Sequence, residues 1–184
     1  MTCATWMVCI LLGIGQPTWK ANIIADEVCG TNLDKVLVIA TWKHESRLVH
    51  QKTPNSTWDW GIAQLHCVPG GKVKACTRCD IRNLRCNIQG GVLLLLAKRK
   101  KCKKHPDFKI CQPHWIQAYN GRSPGYANRV FKVYREIAPV ARKCAGKVKT
   151  LVPVGKVVGV VSREGKNISK ESVLREASSS HEID

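Results

Sequence analysis

Residues 36–46 read VLVIATWKHES, and the fold turns on whether this stretch is a strand or a helix. Its β-branched residues would suit a buried strand. Thr31 as N-cap, Asp34 in the first turn and continuity through Leu48 instead predict a helix that is apolar on every side and therefore buried. Lys43, His44 and Glu45 end the run. A carboxylate at the end of such a helix is partly desolvated, which disfavours its charged form and raises its pKa, as a general acid requires.

Outward from this helix, residues 49–58 (VHQKTPNSTW) are polar and turn-rich and read as a loop. Asn87 to Lys104 predicts a second long helix, with Val92 to Ala97 buried and a basic end at Lys98, Arg99, Lys100, Lys101, Lys103 and Lys104. Cations suit a helix C-terminus. Residues 124–137 (PGYANRVFKVYREI) repeat apolar side chains at Tyr126, Val130, Val133, Tyr134 and Ile137, the spacing of an amphipathic helix opened by proline. The expected class is mainly α. Residues 148–161 are valine-rich and broken by glycines and Pro153, which predicts short strands or an extended arm; from Ser162 the chain is polar and serine-rich. Residues 16–145 are thus one helical domain and 146–184 a partly disordered extension.

The chain has 184 residues, room for one core plus a tail. With 44% hydrophobic residues and six tryptophans it is neither wholly disordered nor collagenous. Thirty Lys and Arg against thirteen Asp and Glu give a net charge of +17. From Ser162 onward four basic residues meet five acids, so the excess of positive charge belongs to the domain. Such a charge favours a polyanionic partner: an envelope polymer, lipid head groups or nucleic acid. There is no internal repeat, no P-loop and no dinucleotide-binding fingerprint.

The amino end and the cysteines bear on compartment. Residues 6–14 (WMVCILLGI) form an apolar run of the length of a signal-peptide core, with small residues at Gly13 and Gly15, although no basic residue precedes Lys20. Residues 1–15 are therefore expected to be an export leader or an anchor, the alternative being a buried first helix. Loss of the leader would remove Cys3 and Cys9 and leave eight of the ten cysteines. Cys67, Cys76, Cys79 and Cys86, in a cysteine-rich insert at 67–86, have either disulfide or tetrahedral zinc spacing. Export favours disulfides, and Cys29, Cys102, Cys111 and Cys144 would need partners as well.

Four blocks then stand in order: Glu45-Ser46; Gly61-Ile62-Ala63-Gln64-Leu65; Asn87-Ile88 with Gly90 and Gly91; and Ala118-Tyr119-Asn120-Gly121. Together they resemble the successive motifs of the lytic transglycosylase family, over residues 22–138. Asp59 before Trp60-Gly61, and Gly125-Tyr126-Ala127 with Val130, are most similar to the small specialised transglycosylases of secretion and conjugation systems and their phage relatives. The resemblance implies a lysozyme-like fold, with some β structure in a helical domain and a cleft for the glycan strand of peptidoglycan. It implies export to the periplasm or exterior, or delivery by a virion, and chemistry that needs no cofactor.

The resemblance also assigns roles. Glu45 would protonate the oxygen between N-acetylmuramic acid and N-acetylglucosamine, then accept the proton of the muramoyl C6 hydroxyl as that hydroxyl closes an anhydro ring. An internal nucleophile removes the need for a second carboxylate. Gln64 and Asn120 match positions that bind acetamido groups, Tyr119 one that lies against the acid, and Ser46 one that orients acid or substrate; Trp60, and less so Trp58, would stack on sugars. Asp59 reads two ways. Facing the scissile bond it would support hydrolysis, as in a muramidase; otherwise it makes a turn. A third reading, a zinc-stapled basic protein that binds nucleic acid, lacks aromatics interleaved with the basic cluster.

Overall fold

The computed structural model describes residues 1–70, 74–120 and 123–146. The expected arm at 148–161, the tail beyond it and Gly121 lie outside the described residues. The fold is mainly helical, in the order α1 (Cys3–Gly13), α2 (Thr18–Cys29), α3 (Lys35–Ser46), β1 (Asp59–Trp60), β2 (Leu65–His66), α4 (Lys74–Thr77), α5 (Leu84–Lys104) and α6 (Tyr126–Gly146). Short 3-10 helices at Lys109–Cys111 and Trp115–Asn120 connect α5 to α6.

The opening stretch is the central helix, α3. Every residue from Val36 to Trp42 is buried. Its cap is Asp34, whose carboxylate accepts from the Leu37 amide at 3.0 Å; Thr31 instead closes α2 by donating its hydroxyl to the Val28 carbonyl at 2.8 Å. The helix stops at Arg47, whose left-handed backbone (φ 55°) turns the chain, so α3 ends two residues before Leu48. Helix α6 packs along α3 and also on α1. It buries Tyr126, Val130, Ile137, Ala141 and Cys144, spaced by three, four or seven residues as one face of a helix requires. It begins two residues after Pro124 and runs past the expected end to Gly146, with Pro139 inside it.

Helix α5 starts three residues earlier than its apolar pattern predicts, because Asn83 caps it by accepting from the Arg85 and Cys86 amides at 2.9 and 3.3 Å. Helix α2 had no counterpart in the sequence reading. It is tied to α5 by Arg85, which bonds Glu27 and reaches Asp26 at 3.3 Å, and by Gln89, which donates to Glu27 at 3.0 Å.

Residues 1–15, the segment expected as a leader or anchor with a buried first helix as the alternative, are helical from Cys3 to Gly13. In the structure they form α1, which places Met7, Ile10 and Leu11 fully inside the core and donates from the Trp6 indole to the Ala141 carbonyl at 3.1 Å. Two disulfides fasten this helix, Cys3–Cys29 and Cys9–Cys144. All ten cysteines of the chain are paired in this structure. Among the described residues no helix is long and apolar enough to cross a membrane.

The insert also resolves. Cys67 pairs with Cys76 and Cys79 with Cys86, which consumes the four thiolates that the zinc alternative required. The fifth bridge, Cys102–Cys111, closes the turn after α5. Five disulfides fit an oxidising, exported environment.

Candidate active site around Glu45

Glu45 stands in the last turn of α3, half-buried, where the apolar body of the helix excludes water from one side. Burial is the largest influence on its carboxyl and raises its pKa above the ordinary glutamate value. Against this, a hydrogen bond donated by the Tyr126 hydroxyl to Oε1 lowers it; the charge of Asp59 raises it and that of Arg129 lowers it. Tyr126 is 1% exposed and lies at the first position of α6, so the α3–α6 packing itself brings phenol and carboxyl together. Its own pKa is driven up by burial and then by Glu45, which keeps the phenol a donor.

Around this pair the aromatic shell is continuous. His44 meets Tyr126 edge to face at 5.4 Å, and Tyr119 stacks near-parallel to it with ring centres 6.3 Å apart. Burial lowers the pKa of His44, with Arg129 adding to the effect, so its neutral form is favoured beside the acid. Tyr119 does not reach the carboxyl with a hydrogen bond; its hydroxyl donates to the Ala63 carbonyl at 2.6 Å.

Ala63 belongs to the second structural unit of the site, the β1–β2 hairpin. Its tight turn is built on Gly61 (φ 66°) and Gln64 (φ 47°), the Gln64 amide closing back on the Gly61 carbonyl at 3.3 Å. A side chain at Gly61 would come within 2.4–2.7 Å of the Asn87 amide group, so only glycine allows the hairpin to seat on α5. Asn87, fully buried, holds it there: Nδ2 donates to the Trp60 carbonyl and Oδ1 accepts from the Ala63 amide, both at 2.9 Å. Gly91, one turn on, lets α5 approach Ala63 and Trp42, since a Cβ there would lie 2.6 and 3.0 Å from them.

Glu45 opens onto a hollow of about 620 Å³. Of the expected site residues, Asp59, Gln64, Tyr119 and Asn120 line it with Glu45. Others do not. Ser46 turns its hydroxyl to the Trp42 and Ile62 carbonyls, at 3.0 and 2.8 Å, and so ties α3 to the hairpin. The Trp60 indole donates to the Cys67 carbonyl at 3.2 Å and packs against the core, while Trp58 lies exposed outside the lining.

Asp59 has both oxygens engaged. Oδ1 lies 3.2 Å from His66 Nδ1, and Oδ2 accepts from Asn55 at 3.3 Å with the Thr57 hydroxyl beside it. Asn55 in turn accepts from the Thr57 and Asp59 amides at 2.9 Å, the geometry of an Asx turn that organises the loop. Tyr126 and Arg129 are the site residues the sequence reading missed as functional groups. Tyr126 was legible as an apolar helix position and as part of the Gly125-Tyr126-Ala127 segment, but without a role, since helical periodicity counts the ring and is blind to the hydroxyl. A smaller hollow, about 290 Å³, lies between the C-terminal half of α5 and the Cys102–Cys111 turn and contains no carboxylate. Among the described residues no group of His, Cys, Asp and Glu is arranged to hold a metal ion.

Compared with protein-family models, curated proteins and solved structures, the chain matches none.

Proposed function

We propose that the protein is a peptidoglycan lytic transglycosylase with a lysozyme-like fold, acting outside the cytosol with Glu45 as the one essential acid and base. The observation that carries this reading is the setting of Glu45: a carboxyl with a raised pKa, oriented by Tyr126, opening onto a hollow that also holds the amides of Gln64 and Asn120. In its protonated form Glu45 donates to the glycosidic oxygen as that bond to the muramoyl C1 breaks. The resulting carboxylate takes the proton of the C6 hydroxyl while the C1–O6 bond closes. Proton and bonds balance without water, and Glu45 is returned to its starting state. Gln64 and Asn120 hold the sugars' acetamido groups.

The engagement of both Asp59 oxygens by the hairpin supports a structural and electrostatic part for this residue rather than that of a nucleophile or base. A second reading, muramidase, draws on the same residue, because Asp59 lines the hollow and its charge acts on Glu45. Digestion of purified peptidoglycan separates the two. Transglycosylation releases muropeptides with anhydro-muramoyl ends, hydrolysis releases products heavier by one water, and no digestion overturns both.

A further inference from the structure

The hollow contains one cation that the proposed reaction does not use. Lys98, on α5 beyond Leu94, lines the hollow together with Ile110, Ala118 and Asn120. It is half-buried and, among the described residues, makes no hydrogen bond or ion pair. Its helix neighbour Arg99 is by contrast fully occupied, donating to Asn32 at 2.8 and 3.0 Å. Burial, and secondarily the charge of Lys101, lowers the Lys98 pKa; among the described residues no carboxylate acts to raise it.

The charged groups that share the hollow do not meet this need. Glu45 must be neutral to act as an acid, Asp59 is taken up by Asn55, Thr57 and His66, and His66 is itself a base. A partly desolvated ammonium without a counter-ion costs free energy, and a bound anion offsets that cost. Neutral hydroxyl and acetamido groups do not; Gln64 and Asn120 serve those.

Resting on the transglycosylase reading, we infer that Lys98 is a specificity residue that pairs with a carboxylate carried on the lactyl branch of a bound muramoyl sugar. The carboxylate has two sources, the lactyl group of a strand stripped of its peptides or the first acidic residue of a peptide still attached. Either way the enzyme favours muramic over purely N-acetylglucosamine strands.

Binding to the full chain carrying Glu45→Gln, which cannot turn over, tests this by calorimetry at low salt. Four tetrasaccharides serve as probes: the neutral N-acetylglucosamine tetramer, and the alternating N-acetylglucosamine–N-acetylmuramic tetramer with free lactyl carboxylates, with lactyl carboxamides, or with an attached alanyl-glutamate. The free-acid tetramer should bind about five- to tenfold more tightly than its carboxamide, the gain of one partly screened ion pair. Adding Lys98→Met should bring the two within about twofold, and Lys98→Arg should restore the difference. If the alanyl-glutamate form alone shows the preference, the peptide is the source of the charge. A preference unchanged by Lys98→Met, or equal binding of the free-acid, carboxamide and alanyl-glutamate forms by the parent, overturns the role of Lys98 and leaves the transglycosylase reading standing. If none of the four binds, both fall.

Discussion

Glu45 is held between four influences of known sign, and each makes a prediction. Tyr126 and Arg129 favour the carboxylate, burial and Asp59 the neutral acid. Tyr126→Phe removes a donor to the carboxylate, so the alkaline limb of the kcat/KM profile should move to higher pH; Asp59→Asn removes a like charge and should move it lower. Limbs that shift together, or not at all, would contradict the assignment of Glu45 as the titrating acid. Because its folded pKa is raised, Glu45 contributes stability below the unfolded glutamate value that is lost as pH rises through the folded one. Glu45→Gln should therefore cost about a hundred- to ten-thousand-fold in turnover while raising Tm at pH 8 and leaving it nearly unchanged at pH 4. A lower Tm at pH 8 would mean that the residue is structural.

At the scale of elements, the seam between the hairpin and α5 decides whether the hollow exists. Asn87→Ala leaves the Ala63 amide and Trp60 carbonyl unpaired in the interior, at about 1–3 kcal/mol for each unsatisfied group, and Gly91→Ala forces Ala63 and Trp42 apart at a cost of about 1–3 kcal/mol. Both losses are readable as a lower urea midpoint; an unchanged midpoint for Asn87→Ala would contradict the seam. The residues of this seam stand in two of the four blocks, Gly61 to Leu65 and Asn87 with Gly90 and Gly91, but that they pack on one another was not legible, because close backbone approach shows only in the folded chain. The mainly helical class was legible, since α3, α5 and α6 carry apolar runs too regular for loops. Helix α2 went unread although Ala21, Ile24, Ala25 and Val28 stand at helical spacing, because that stripe is short and half alanine, and its partners Arg85 and Gln89 are some sixty residues away. The first helix is legible two ways. An apolar run of nine residues is what a signal core and a buried helix both require, and the bridges from Cys3 and Cys9 to Cys29 and Cys144 lie far beyond its own sequence.

For the whole molecule, the disulfides act at two ranges. Cys9–Cys144 joins residues 135 apart and links α1 to α6, whereas Cys67–Cys76 spans only nine. On loop entropy alone the first is worth about 5 kcal/mol and the second about 2.5 kcal/mol, so replacing Cys9 and Cys144 by alanine should lower the urea midpoint roughly twice as far as the same change at Cys67 and Cys76. Equal effects would contradict the long-range tie. The net charge of +17 sits well with an anionic wall as the proposed place of work, where Glu45 is the group proposed to cut the bond. The most direct measurement is the mass of the products released from purified peptidoglycan by the wild type and by Glu45→Gln. Anhydro-muramoyl muropeptides from the wild type and none from the variant are predicted; products that have gained water, or equal release by both proteins, would contradict the account.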